Sequence, residues 1–383
     1  MANTAPTHTQ RYSVGFPRMH KEAGERRDFL PGLIRRIAPL AREVVIEEDI
    51  GTGMGITLTE YTAGVDNVRA GSNLECYQQD IVIQVRAPEN DELTRMRPGA
   101  ILFSMLHFLT HPQRVTLMQD LGLRPIAMDG VTDDDGARLI ENLRGTSWNA
   151  IWAGFQALLK TYPAFMSPHR DPIRATIIGA GPVGRYAAEA AAKYGDVAAL
   201  KGMWDQQIPG VVALLVDRRV TGNRDWLKRL LVASDMLVDA TGRADTTQAI
   251  IPNELIGYLP EHAVVVDLTA DPYNTEIRPI QVKGIEGIPT GTLGEYEFPP
   301  DHPAFDALPA EVSTAHRRMT VSCYSWPGLR PQDCMQRYGR QIEPLLRILL
   351  RKPCDELTLS SAEHFERALY RGALNYFLKR YGK

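Results

Sequence analysis

The sequence is poor in the features that would place it in a specialised class. It has only four cysteines among 383 residues, Cys76, Cys323, Cys334 and Cys354. They are scattered with no CxxC pair, which argues against a zinc site, a redox dithiol or a disulfide framework and leaves free thiols. No metal site is expected. No uncharged apolar run approaches the ~20 residues needed to span a bilayer, and the opening "MANTAPTHTQ" has no secretory apolar stretch, so a cytoplasmic protein without membrane attachment is expected. Neither sign of charge dominates: 43 basic against 46 acidic residues leave a net charge of −3. A nucleic acid partner is therefore not expected, and a small molecule fits better. There is no solenoid repeat and no low-complexity tract.

The remaining composition is that of a globular α/β protein. Apolar residues are 44% and charged residues 23% of the chain, enough for sizeable cores, and the length suggests two domains. After ten polar residues expected to be loose, strand and helix patterns alternate: "YSVGF", a helix through "LPGLIRRIAPLA", "EVVIEE", the loop "DIGTGMGITLTEY", then "DIVIQVRAP", "GAILFSML" and "RPIAMD", with a helix at "HPQRVTLMQDLG". This βαβ rhythm implies a mostly parallel sheet. The acidic "TDDDGARLIENLRG" reads as a solvated turn and helix cap before it reads as a catalytic cluster. A long helix follows through "SWNAIWAGFQALLKTYPAFM", with Trp148, Trp152 and Phe155 on a buried face. A second series then runs "RATIIGAG", "VVALLVD", "SDMLVDATG" and "AVVVDLTAD", and from about Val321 the chain is expected to be helical.

"TIIGAGPVGRYAAEAAAKYG" carries the most chemistry. Gly179, Gly181 and Gly184 follow a β-branched strand and open a helix led by Pro182 and Val183. In that setting the first glycine allows a tight turn, the second lets backbone approach a diphosphate, and the third lets helix and strand close up, with the helix N-terminus facing the phosphates. An acidic residue should end the next strand. The segment at the usual distance, "KGMWDQQIPG", is no strand, so an elongated helix and loop are inferred and Asp217 after "GVVALLV" is the candidate ribose ligand; an ordinary surface Asp is the other reading. Arg218 and Arg219 follow and suit a 2′-phosphate, which Asp217 would repel, so NAD is favoured and NADP remains possible. Ala240, Thr241 and Gly242 follow a strand where backbone runs beside cofactor, although Gly242 could equally be only a turn. Of Asp267 and Asp271, one is expected to face the nicotinamide side and the other to be structural.

Taken together, "GFPRMHKEAGERRDFLP", "IEEDIGTGMGITLTEY", "DIVIQVRAP", "GAILFSMLHFLTHP", the GAGPVG turn, "AVVVDLTAD" and "VSCYSWPGLRP" resemble, in that order, the alanine dehydrogenase and transhydrogenase alpha-subunit family. "AMDGVTDDDGARLIENLRGTSWNAIWAGF" is similar to the lysine-forming saccharopine dehydrogenases. The resemblance implies two Rossmann-like doubly wound lobes with an interlobe cleft. Residues 1–147 and 314–383 would form the substrate domain and 148–313 the NAD(P)-binding domain. It implies oxidation or reduction at the C–N bond of an amino acid, with an amino acid or 2-oxo acid as partner and a homo-oligomer possible. Carried over by position, Arg27 matches the carboxylate-clamping arginine, His107 the acid/base histidine and Asp271 the catalytic aspartate. Arg86 stands where the family has a lysine; it keeps the charge but cannot serve as a base. Ser325 and Trp326 replace an asparagine and a methionine, which implies an altered substrate wall. Three alternatives stay open: a dinucleotide-binding regulatory protein without turnover, a saccharopine- or opine-type secondary-amine dehydrogenase, and a 2-hydroxy-acid dehydrogenase, which would turn over without ammonia.

Overall fold

The computed structural model describes residues 12–20, 22–269 and 271–382. The expectation of a loose N-terminus falls on residues outside this set. The chain divides into two compact units, one taking 12–20, 25–142 and 330–382, the other 22–24 and 143–329.

The first unit is built on six strands, β1 (Ser13–Phe16), β2 (Glu43–Glu47), β3 (Val68–Gly71), β4 (Ile81–Arg86), β5 (Ile101–Met105) and β6 (Arg124–Ala127). They lie in the order β3-β2-β1-β4-β5-β6 and pair in parallel throughout. That is the doubly wound order in which ligands bind beyond the carboxyl ends of the strands. β1 is buried along its whole length and β4 and β5 are buried up to their last residue. This is why these stretches read as unbroken apolar runs and not as alternating ones. The short helix Leu58–Thr62 begins inside the expected loop "DIGTGMGITLTEY", while β3 and the helix Asn73–Tyr77 lie in a stretch to which the sequence pattern assigns no element; with Arg69 and Asn73 inside it, "VRAGSN" has no apolar run to reveal a strand. The helix Pro331–Leu349 returns to this unit and sends Ile342, Leu345, Leu346 and Leu349 into its core.

The second unit carries β7 (Ile173–Ile178), β8 (Val211–Val216), β9 (Met236–Asp239), β10 (Val264–Asp267), β11 (Glu297–Phe298) and β12 (Met319–Ser322). Their order is β11-β12-β10-β9-β7-β8, parallel except for the antiparallel pair β11–β12. Four expectations are corrected. Residues 314–329, assigned by sequence to the substrate domain, lie in this unit because β12 pairs with β10. Residues 143–147 join it as well, since the long helix begins at Leu143. Val321 sits inside β12, and the following helix starts only at Pro331, so the expected helical segment begins about ten residues late. The elongated helix inferred before β8 is two helices, Pro182–Ala191 and Val197–Asp205. The break falls at Tyr194 and Gly195, both with positive φ. A side chain on Gly195 would meet the backbone of Trp152 at 2.4 Å.

Candidate active site

In the first unit the site residues gather at the carboxyl ends of β1, β4, β5 and β6. Arg27, on the loop after β1, is 4% exposed. Its fork is already engaged: Glu25 Oε1 accepts from Arg27 Nε at 2.8 Å and Glu25 Oε2 from Nη2 at 2.5 Å. Arg86, the last residue of β4, brings a second guanidinium to 3.9 Å from the same carboxylate. Burial alone would raise the Glu25 pKa, but the hydrogen bonds and charge of Arg27, with the charge of Arg86, outweigh it and hold the carboxyl below its usual range. The same carboxylate raises Arg27, against the effect of its burial.

His107 follows β5 and is held in the left-handed region at φ 48°, an uncommon conformation for a side chain of this kind. Asp129, just past β6, explains it. Its Oδ1 accepts from the backbone N–H of Leu106 and His107 at 2.9 and 3.0 Å, and its Oδ2 lies 3.3 Å from His107 Nδ1. Burial pushes the Asp129 carboxyl up, yet the hydrogen bond and charge of His107 hold it below the ordinary range. A carboxylate at Nδ1 selects the tautomer that leaves Nε2 to exchange protons. His107 is half exposed, side chain 49%. Glu25 and Asp129 were missed from sequence. Each could have been found by asking what neutralises Arg27 two residues away and what ends the strand "RPIA".

In the second unit the glycine turn is shaped by contact. Gly179 has φ +112°, and a Cβ there would meet Ala240 O at 2.3 Å. A Cβ on Gly184 would meet Gly179 O at 1.8 Å, whereas one on Gly181 would have nothing within 4 Å. The outer two glycines thus close the turn, and the middle one faces open space at the N-terminus of the helix opened by Pro182 and Val183. These residues fit a dinucleotide diphosphate, which needs that gap and those unpaired N–H groups. Asp217 ends β8, beside β7 in the sheet. Its Oδ1 caps the next turn through Arg219 N at 2.9 Å, and its Oδ2 lies 4.0 Å from Arg219 Nε. Arg218 is exposed. Ala240, Thr241 and Gly242 follow β9 against the glycine turn, Ala240 N donating to Ile178 O at 2.8 Å. A Cβ on Gly242 would meet nothing, so no steric need selects that glycine.

The two aspartates after "AVVV" separate by burial. Asp267 is 1% exposed and accepts from Lys283 Nζ at 2.7 Å. Asp271 is partly exposed and accepts from Arg243 Nη2 at 2.7 Å. Trp326 is 1% exposed and donates from Nε1 to Asp267 O at 2.6 Å, so it staples the end of β10 and lies in the core; Ser325 is buried beside it. Trp326 is therefore not the substrate wall that the resemblance implied. Among the described residues no group of three or more metal-ligating side chains occurs, and no helix is long and apolar enough to cross a membrane.

Two doubly wound α/β units, one with a contact-defined glycine turn and the other with a histidine–aspartate pair and an Arg27–Glu25–Arg86 cluster, define a two-unit Rossmann-like architecture. Comparison with known proteins narrows this. Residues 16–147 match the family model "Alanine dehydrogenase/PNT, N-terminal domain". The chain is 22% identical to NAD(P) transhydrogenase subunit alpha of Haemophilus influenzae, over 94% of this chain and 69% of that protein. It is 23% identical to alanine dehydrogenase of Bacillus subtilis, over 67% of this chain and 70% of that one. Among solved structures, an L-alanine dehydrogenase superposes with a TM-score of 0.69 at 18% identity, covering 94% of both chains. A transhydrogenase from Sinorhizobium meliloti gives 0.55 at 17%, covering 88% and 94%. The resemblance to the alanine dehydrogenase and transhydrogenase alpha-subunit family holds along the chain, and the fold is theirs.

Proposed function

We propose that the protein is an NAD(P)-dependent oxidoreductase acting on the C–N bond of an amino acid, with the dinucleotide on the second unit and the amino acid or 2-oxo acid on the first. The observation that carries this reading is the glycine turn, closed by contact at Gly179 and Gly184 and open only at Gly181. The bound dinucleotide would supply or accept the hydride. Gly181 and Val183 would present backbone N–H groups to its diphosphate, with Pro182, which has no N–H, fixing the first helical turn between them. Thr241 and its neighbours would flank it, and the second oxygen of Asp217 would take a ribose hydroxyl, which favours NAD over NADP. Arg86, with the Arg27–Glu25 pair behind it, would hold the substrate carboxylate. Because arginine keeps its proton, the proton traffic falls to His107 Nε2, oriented by Asp129, while Asp271 stays anchored by Arg243. Oxidation of NADH, and separately NADPH, with ammonium and a panel of 2-oxo acids tests the proposal. His107→Gln should lower kcat/KM by about 100-fold or more while leaving NADH binding intact. Dinucleotide binding without turnover on any 2-oxo acid, unaltered by that substitution, would instead indicate a regulatory protein.

One feature favours a bulkier acidic substrate of the saccharopine or opine type over alanine. His107 opens on a cavity of about 310 Å³ walled by Phe108, Tyr376 and Phe377 and rimmed by Arg138 and Arg380. Arg380 donates to the Tyr376 hydroxyl at 3.1 Å and Arg138 is exposed, neither in an ion pair among the described residues, whereas the nearby Arg371 is paired with Asp134. A methyl group would leave this space empty. The double variant Arg138→Gln, Arg380→Gln should raise KM for a 2-oxo dicarboxylic acid by about tenfold, with KM for a monocarboxylic acid of equal length unchanged. Equal effects on both acids would return the reading to simple amino acids.

A further inference from the structure

Beneath the Thr241 loop lies a buried cluster whose charges do not balance. β9 and β10 pair in register so that Asp239 stands beside Asp267, and the two are 0% and 1% exposed. Lys283, also 0% exposed, donates to Asp267 Oδ2 at 2.7 Å. Ser322 Oγ donates to the same oxygen at 2.9 Å. Thr269 N and Oγ1 fill Asp267 Oδ1 at 2.9 and 2.8 Å. Asp239 Oδ1 accepts from Thr241 N at 3.0 Å and from its Oγ1 at 2.7 Å, but Asp239 Oδ2 is buried with no hydrogen-bond partner. Arg243 lies near enough for its charge to favour the Asp239 anion, against burial and the Asp267 charge, but its hydrogen bonds go to Asp271, Gln248 O and Val282 O. Tyr273, whose ring faces Lys283 at 6.0 Å, is kept protonated by burial. Two neighbouring buried carboxylates therefore have one ammonium between them, and it is bonded to Asp267. An unpaired anionic oxygen there is far more costly than a neutral hydroxyl.

We propose that Asp239 is a neutral carboxylic acid in the folded protein and a positioning residue for dinucleotide binding, holding Thr241 and its loop against the glycine turn only while it keeps its proton. Loss of the proton sets a second negative charge beside Asp267. The room to move apart is small, since even a Cβ on Gly284 would come within 2.3 Å of Asp239 Oδ2. The strain then passes through Thr241 to Ala240, whose carbonyl already abuts Gly179. Burial first, and the Asp267 charge second, push the Asp239 carboxyl up to about 7, while Asp267 is held below its usual range by Lys283 despite its own burial.

The inference rests on the dinucleotide reading for its consequence and not for the proton itself, so two measurements separate them. In fluorescence titrations with NADH, the unmodified protein should lose roughly three- to tenfold in affinity between about pH 6 and about pH 9, and Asp239→Asn, which mimics the neutral acid, should stay flat. In difference infrared spectra of the unmodified protein without cofactor, a carboxylic-acid carbonyl band should be present at the lower pH, vanish at the higher, and be absent from Asp239→Asn. Parallel pH profiles for both proteins, or no such band, would overturn the proposal. Absence of NADH binding at every pH with the band present would overturn its binding role and the dinucleotide reading together, leaving the buried proton established.

Discussion

Asp267→Ala should cost about 3–5 kcal/mol of stability, the largest effect expected from one side chain in this protein. The aspartate's partner, Lys283, is 0% exposed, so removing the carboxylate strands an ammonium where water cannot reach it. Such a group either stays charged at great cost or gives up its proton, and both penalise the folded state. The carboxylate also accepts from Ser322 on β12 and from Thr269, so three elements lose a common anchor. Chemical denaturation followed by tryptophan fluorescence would measure the loss. The companion variant Lys283→Met, alone, should also destabilise, while the double variant Asp267→Asn, Lys283→Met should recover much of the deficit because no bare charge remains. A double variant no better than Asp267→Ala would show that the pair matters through shape and not through charge.

A second large effect distinguishes the three glycines. Gly181→Val should leave the unfolding midpoint within about 0.5 kcal/mol of the parent, since a Cβ at this position meets nothing within 4 Å. It should nevertheless lower NADH affinity by about 100-fold or more, because the branched side chain fills the gap proposed for the diphosphate. Gly184→Ala should do the opposite in emphasis: its Cβ would fall 1.8 Å from Gly179 O, so the helix must withdraw from the turn and stability must suffer along with binding. Calorimetric titration with NADH beside thermal unfolding separates the two. An intact NADH affinity in Gly181→Val would place the dinucleotide elsewhere.

What could be read from the residues follows a physical line. β7 and its glycine turn were legible because a fully buried parallel strand is a run of β-branched residues and because three glycines at fixed spacing have few other uses. His107 and Arg27 became legible through family order, not through any local pattern. Their partners Asp129 and Glu25 stayed hidden, since a carboxylate that orients a histidine 22 positions away leaves no periodic trace. Asp239 and Lys283 were hidden for a related reason. Each sits at the end or outside of an apolar run, where a charged residue reads as solvated, and only the register of β9 on β10 and the return of Lys283 to Asp267 enclose them. The placement of 314–329 failed because β12 is a four-residue strand whose meaning lies in its partner.

The first unit's two-part composition has a consequence during synthesis. Its sheet is complete once residue 127 has emerged, but the helix that covers it, Pro331–Leu349, and the bridge from Ile126 to Ala373 come from the far end of the chain. The second unit, nearly continuous in sequence, can close while the first still exposes Ile34, Ile46 and their neighbours to solvent or to a chaperone. A chain that stops just after residue 329 would therefore carry one finished half joined to one that lacks its roof.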